Sequence, residues 1–286
     1  MENKMKKIIS GKVREVYDLE NGQLVIVTTD RISAFDVILP TMIPDKGKVL
    51  TEISNFWFDY TKDIVKNHMI SDNLNDMPEE FRKPEYEGRT ILVKKLNMLK
   101  YEFIVRGYCF GSMYDAYVKG EPFCGVKITG DYKMAQKLAE PIITPSTKAS
   151  EGHDIYIPFE DVKADLGEEL GEKIKATAIA LYNKCYKRAY ENGIILADTK
   201  FEFGLDKNGE LTLADELFTP DSSRFWNLSE YKVETSPKSY DKQFVRDWLK
   251  ETNQNGKQNI DPIPAEIVEK TAALYKECVL KIKYNK

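Results

Sequence analysis

Within Ile194-Ile195-Leu196-Ala197-Asp198-Thr199-Lys200-Phe201-Glu202-Phe203-Gly204, charged residues recur at every second position after an apolar lead-in. A strand alternates its side chains between faces, so Asp198, Lys200 and Glu202 share one side. Downstream, Asn208-Gly209 reads as a two-residue hairpin turn. Counting outward from it pairs Lys207 with Glu210 and sets Glu202 directly opposite Asp215. Like charges facing each other across a sheet repel. Mg²⁺ would offset them, since it takes one or two carboxylates together with phosphate oxygens. The plainer alternative is an edge strand whose two acids are solvated and balanced by Lys200. Immediately beyond, Thr219-Pro220-Asp221-Ser222-Ser223-Arg224 is a hydroxyl-rich turn ending in a guanidinium. It suits a phosphate or carboxylate, or serves as an ordinary capping turn.

Other cations stand where anions could be met. Ser10-Gly11-Lys12-Val13-Arg14 opens the chain's first hairpin, and period-2 spacing places Lys12 and Arg14 on one strand face. Gly11 beside them lets a ligand approach the backbone, which suits a phosphate chain. The segment is neither GxGxxG nor GxxxxGK[ST], so a solvated strand face is the competing reading. Arg106, after the apolar run Phe103-Ile104-Val105, reads as an anion ligand or as half of a buried ion pair. Ser112 after Gly111 is either a helix N-cap or a ligand. The stretch 142–154 carries hydroxyls, Lys148, His153 and Asp154, and reads as a functional loop. With only two histidines a multi-histidine zinc site is excluded, and without a neighbouring Cys or a motif-placed Ser there is no persuasive nucleophile. Chemistry here must run on carboxylates, Lys, Arg and backbone.

These residues need a scaffold, and the pattern supplies one. Val13, Val16 and Tyr17 lead through Asn21-Gly22 into the strand Leu24–Val27. Ile53, Trp57, Tyr60 and Ile64 mark one face of a helix. Residues 68–88 read as a surface connection, 90–93 and 101–105 as strands, and a helix begins near Ser112. Ile174, Ala178, Leu181 and Cys185 mark a long helix stopped by Asn192-Gly193. Strands 194–204 and 211–216 follow, then helices near 240–250 and 264–282. Hairpins mixed with long helices predict an α+β fold. Among 286 residues, 42% are hydrophobic and 31% charged, with a net charge of −4, so no global field draws nucleic acid or an acidic membrane. No apolar run matches a signal peptide or a membrane span, which predicts a cytoplasmic protein.

Taken in order, Gly11-Lys12-Val13-Arg14-Glu15-Val16-Tyr17, Ser33-Ala34-Phe35-Asp36, Arg106 through Gly111-Ser112, Thr144-Pro145-Ser146-Thr147-Lys148, Asp198 through Gly204 and Asp215 through Arg224 span most of the chain. They resemble the phosphoribosylaminoimidazole-succinocarboxamide synthase (SAICAR synthase) family. Lys100 and Phe110 depart from the pattern, standing where Pro and a small Thr or Ala are expected, and Ile155 replaces a frequent acid.

The resemblance implies a small β-rich nucleotide lobe, residues 1–97, packed on a larger α+β lobe, residues 98–286, with ATP between them. It implies ATP- and Mg²⁺-dependent joining of L-aspartate to an imidazole ribonucleotide carboxylate through an acyl phosphate. The implied partners are small molecules, not nucleic acid or membrane, and oligomeric state is left open. Asp198, Lys200 and Arg224 would be catalytic; Gly11, Lys12, Val13, Arg14, Lys94 and Glu202 would hold the nucleotide, and Glu202 and Asp215 the metal. Asp36, Arg106, Ser112, Lys148, His153, Asp154, Ser222 and Arg224 would contact substrate. A kinase-like phosphotransferase would use the same nucleotide site. A non-catalytic nucleotide-binding module would not need Asp198, Lys200, Glu202, Asp215 and Arg224 together.

Overall fold

The computed structural model describes residues 6–35, 37–148 and 155–284. The first sheet grows from the expected hairpin. β1 (Lys6–Ser10), β2 (Arg14–Asp18) and β3 (Gln23–Thr28) are antiparallel neighbours. The β2–β3 turn is closed locally: Asp18 accepts from the Glu20 N–H at 2.9 Å and Asn21 from the Gln23 N–H at 3.0 Å. Glu20 and Gly22 take positive φ there. Alternation along β3 sends Val25 and Val27 to one apolar cluster and Ile26 to another.

A short hairpin, β4 (Ser33–Ala34) and β5 (Val37–Ile38), leads to α1 (Lys46–Tyr60). The apolar spacing predicted a helix reaching Ile64. It stops earlier because Thr61, at φ −108 and ψ 6, leaves helical geometry, and its hydroxyl and N–H both donate to the Trp57 carbonyl, at 2.7 and 3.0 Å. Strands β6 (Met69–Ser71) and β7 (Thr90–Lys94) complete the sheet in the order β1-β2-β3-β7-β6. The connection between them is three single helical turns that bury Met77 and Phe81 beneath the sheet.

The second sheet follows from β8 (Asn97–Met98) and β9 (Tyr101–Cys109). After α2 (Ser112–Val118) comes β10 (Gln136–Thr147). The stretch from 142 to 147, read above as loop, is thus strand: Ile143 through Ser146 are buried against β9, and Pro141 and Pro145 are tolerated because β10 is the outermost strand. Helices α3 (Phe159–Leu166) and α4 (Glu168–Glu191) precede β11 (Ile194–Leu205), and Gly193 takes φ +76 where α4 stops. β12 (Leu211–Ala214), β13 (Ser223–Asn227), α5 (Gln243–Glu251) and α6 (Ala265–Tyr284) end the chain.

β11 is the spine of this sheet. Its first half pairs β13, its middle pairs β9, and its end pairs β12 and β8. One apolar core joins α1, α4 and α6 to β9 and β11, through Trp57, Leu181, Phe201 and Ile282 among others. A second core packs Ile32, Leu39 and Ile43 against Val245, Leu249 and Ile267 of the terminal helices. No helix among the described residues is long and apolar enough to cross a membrane.

Close backbone contact fixes α1 against the first sheet. A Cβ on Gly47 would stand 2.3 Å from the Thr28 carbonyl oxygen, and the Gly47 N–H donates to Asp30 at 2.8 Å. Gly47→Ala should therefore lower stability by about 1–3 kcal/mol. Thermal melting would show a fall of several degrees; an unchanged Tm would mean the helix can shift freely.

Candidate active site

The β11–β12 hairpin sets the first part of the site, and its turn differs from the expected one. The Asp206 N–H donates to the Glu210 carbonyl at 3.0 Å, and the Gly209 N–H to the Asp206 carbonyl at 2.9 Å. Asp206 Oδ1 also accepts from the Asn208 and Glu210 N–H groups at 2.8 and 2.9 Å. Three residues, with Gly209 at φ +77, therefore form the loop instead of two. Glu202 consequently faces Ala214, and the direct Glu202–Asp215 opposition does not occur. A straight continuation of β12 would send Asp215 to the other face. Instead Asp215 takes φ +59 and turns the chain. Its negative charge there helps to hold Lys148 and Lys200 protonated.

Lys200 donates to Glu102 at 2.6 Å and to Glu202 at 3.2 Å, and Lys148 also donates to Glu202. Burial opposes the charge on Glu202, but Lys200 and Lys148 overcome it and leave the carboxyl below its usual range. Burial likewise works against Lys200, and Glu202, Glu102 and Asp215 outweigh it. Lys148 is anchored by its backbone N–H, which donates to the carbonyl of Lys100 at 3.0 Å.

The second part is a knot of three residues on three strands. In register, Asp198 of β11 lies opposite Arg106 of β9 on one side and Arg224 of β13 on the other. Its carboxylate accepts from Arg106 at 3.4 Å and from Arg224. Arg106, only 2% exposed, also donates to Thr144 at 3.0 Å and to Tyr156 at 3.3 Å. Arg106 is thus a buried ion-pair partner that also lines a cavity of about 300 Å³, together with Asp198, Lys200, Ser222 and Arg224. Phe110, one of the two unusual residues, packs edge-on to Trp226 and lies under the Arg224 guanidinium, 5.6 Å from ring centre to Cζ. The Arg224 Nε is buried without a partner.

Sequence reading missed the far wall. Asp221 accepts from Lys46 of α1 and from Tyr275 of α6, both at 2.7 Å, and Lys242 lies 4.0 Å away. Burial pushes the Lys242 ammonium down to about 8, against the pull of Asp221. Arg246 of α5 lines the cavity and faces Asp241 at 3.8 Å. Glu102 and Tyr156 were missed too. No local motif joins residues 46, 221, 242 and 275; only the packing of α1, α5 and α6 does.

The remaining predicted residues are placed as follows. Ser112 is the first helical residue of α2, with Gly111 at the N-cap, and its hydroxyl donates to Tyr156 at 3.1 Å. Gly11, Lys12 and Val13 form the bend before β2, so Lys12 does not share a strand face with Arg14. The bend is tight because the Gly11 N–H donates to the Arg14 carbonyl at 2.8 Å. Arg14 sends its guanidinium to Glu216 at 2.5 Å and Asp215 at 3.6 Å. Lys94 is exposed at the end of β7. Asp36, His153 and Asp154 lie outside the described residues.

Cations and carboxylates thus surround a cavity that, among the described residues, has no Ser-His or Cys-His nucleophile. Such a site handles anionic substrates by positioning and charge neutralisation. The class it defines is an enzyme acting on anionic substrates without a covalent nucleophile. The SAICAR synthetase family profile matches residues 7–263. A phosphoribosylaminoimidazole-succinocarboxamide synthase of Lachnospira eligens is 52% identical, over 96% of this chain and 94% of its own length. One from Chromobacterium violaceum is 48% identical, over 97% and 98%. A solved SAICAR synthase from Saccharomyces cerevisiae, complexed with SAICAR, superposes with a TM-score of 0.90 at 41% identity, covering 99% of this chain and 96% of that one. The chain belongs to the SAICAR synthetase family. It is a ligase of purine biosynthesis that uses ATP to join L-aspartate to 5-amino-1-(5-phosphoribosyl)imidazole-4-carboxylate. The α+β expectation holds with it.

Next to Asp215 lies His68, 3% exposed, whose imidazole burial holds down to about 4 from its usual 6.5. Below pH 6.5 the unfolded chain therefore binds a proton that the native protein refuses, so stability falls as pH drops toward 4. The loss from this group should reach ~2–3 kcal/mol by pH 4.5. Urea unfolding at pH 7.5 and 4.5 would show a steeper decline in the wild type than in His68→Asn. Equal declines would mean that the ring titrates normally.

Proposed function

We propose that the cavity on β9, β11 and β13 holds the imidazole ribonucleotide through Arg106, Ser112, Ser222 and Arg224, and that the nucleotide phosphates lie along Gly11, Lys12, Val13, Arg14 and Lys94. Residues 1–97 act as the nucleotide lobe and 98–286 as the catalytic lobe. Lys148 borders the substrates, Asp36, His153 and Asp154 are assigned to substrate binding from the sequence, and the reaction runs in the cytoplasm. The observation that carries this reading is the shared Asp198, directly cross-strand from both arginines at the cavity wall. An ion pair alone would use one guanidinium. Two forks fixed on one carboxylate leave N–H groups for an incoming anion.

Within this site the substrate carboxylate attacks the γ-phosphorus of ATP, ADP departs, and an acyl phosphate results. The aspartate amine then attacks the carbonyl carbon, phosphate leaves, and the amine's extra proton is lost as the amide forms. Lys200, held in place by Glu102 and Glu202, neutralises the transferring phosphoryl group. Asp198 keeps both guanidiniums oriented.

The donor set also fits Mg²⁺. Glu202 and Asp215 offer two carboxylates, and among the described residues no larger cluster of acids, His or Cys converges to cage an ion. Mg²⁺ characteristically needs few protein oxygens when phosphate and water complete its shell. When bound, it would neutralise phosphate charge during transfer.

Steady-state ADP formation should require both aspartate and the imidazole carboxylate. Release of ADP without aspartate at the full rate would instead favour a kinase-like phosphotransferase. Arg224→Lys keeps the charge but loses the fork, and should raise the KM for the imidazole nucleotide about tenfold or more. Lys12→Ala should raise the KM for ATP; unchanged values in both variants would remove these residues from the site.

A further inference from the structure

Tyr156 reaches the cavity from a segment fastened to β10 on both sides. It bridges Ser146, the Thr147 N–H donates to the Ile155 carbonyl at 2.9 Å, and the Ile157 N–H donates to the Pro145 carbonyl at 3.1 Å. With its backbone set, the ring packs on Phe123, centroids 4.7 Å apart, and Arg106 Cζ lies 5.7 Å from its centre. Tyr156 nonetheless lines the cavity and stays 43% exposed. Its hydroxyl oxygen accepts twice, from Arg106 at 3.3 Å and from Ser112 at 3.1 Å.

A serine hydroxyl carries one proton, and that of Ser112 goes to Tyr156. Ser112 is not among the residues that line the cavity, whereas Tyr156 is. All three guanidinium nitrogens of Arg106 already donate, to Thr144, Asp198 and Tyr156, although each Nη keeps a second N–H. The phenol proton has no acceptor among the described residues. A hydroxyl that accepts from a guanidinium and from a second hydroxyl is polarised into a stronger donor. An anion beside Arg106 therefore meets the Tyr156 O–H before it meets Ser112. The strand register says which anion that is. Along β11 the cavity runs from Asp198, opposite Arg106, toward Lys200 and Glu202, roughly 7 and 13 Å further on at ~3.3 Å per residue. Phosphoryl transfer at Lys200 draws the substrate's carboxylate to that end, so its 5′-phosphate falls at the Arg106 end.

We propose that Tyr156 is a substrate-binding residue whose hydroxyl donates to the 5′-phosphate of the imidazole ribonucleotide, and that Ser112 acts through it as a positioning residue. The inference rests on the ribonucleotide occupying this cavity and deepens that reading. Phenol and guanidinium grip the phosphate together, a neutral donor beside a charged one. Ser112 and Phe123 fix where the phenol stands.

Tyr156→Phe keeps the ring on Phe123 and Arg106 and removes only the hydroxyl, so the variant should melt within a few degrees of the wild type. Its KM for the imidazole ribonucleotide should rise about tenfold, while kcat and the KM values for ATP and aspartate stay within about twofold. An unchanged or lowered KM would overturn the inference. The same substrate without its 5′-phosphate should show equal kcat/KM in the variant and the wild type; a tenfold loss there too would mean that the hydroxyl serves another part of the molecule. Ser112→Ala should raise the KM several-fold, and the double variant should be no worse than Tyr156→Phe alone. Effects that multiply would show Ser112 meeting the substrate itself and would overturn the relay. Arg224→Lys separates the layers. If it and Tyr156→Phe both keep the wild-type KM, the ribonucleotide does not lie in this cavity and the inference falls with that reading. If Arg224→Lys raises the KM and Tyr156→Phe does not, only the role of Tyr156 falls.

Discussion

Arg106 and Arg224 sit on the two strands that flank β11, and a single carboxylate, Asp198, lets one be buried and the other half-buried there. Two guanidiniums brought together in a dry site would repel, and each would lose hydration worth several kcal/mol. Asp198 offsets both penalties and fixes the planes of the two forks. Much of the site depends on that arrangement. Thr144 and Tyr156 orient Arg106 further, Phe110 supports Arg224 from below its plane, and Ser112 is tied in through Tyr156. The result is a rigid wall with anion-binding capacity left over.

The two sheets are not independent halves joined by a flexible hinge. α1 belongs to the first 97 residues, yet Leu50, Ile53 and Trp57 lie in the same core as α4 and α6. Lys46, at its first turn, is buried against Asp221 and Tyr275. Arg14 crosses to Glu216, and His68 to Leu213. Buried ion pairs of this kind contribute little net stability, because desolvation offsets the Coulomb gain. They are demanding about geometry, however, since removing either partner strands a charge. The seam therefore sets where each acid and cation stands.

An excess of cation around the cavity complements anionic substrates. Lys46, Lys148, Lys200, Lys242, Arg106, Arg224 and Arg246 face Glu102, Glu202, Asp198, Asp221 and Asp241. Although the chain as a whole is acidic, with a net charge of −4, the site is locally positive. Burial strengthens those fields by excluding the water that would screen them. The shift of Lys242 to about 8 records chiefly the burial of its ammonium, with Arg246 and Lys46 adding to it against the pull of Asp221.

The amino-acid sequence alone determined what is local. Period-2 spacing put Asp198, Lys200 and Glu202 on one face of one strand, and β11 carries them so. Asn21-Gly22 marked the first hairpin, Gly193 the end of α4, and the apolar spacing the buried faces of α1 and α4. These follow from steric preferences within a few residues. What the tertiary structure decided is which groups meet. The β11–β12 register turned on the Asp206 side chain closing a three-residue loop, and that moved Asp215 out of opposition to Glu202. The polar residues 142–147 read as loop because their burial is repaid only by pairing with β9, some forty positions earlier. Lys46 meeting Asp221, and Arg14 meeting Glu216, left no trace in spacing. Such contacts join residues about two hundred positions apart, and only the packing of helices across two sheets brings them within reach.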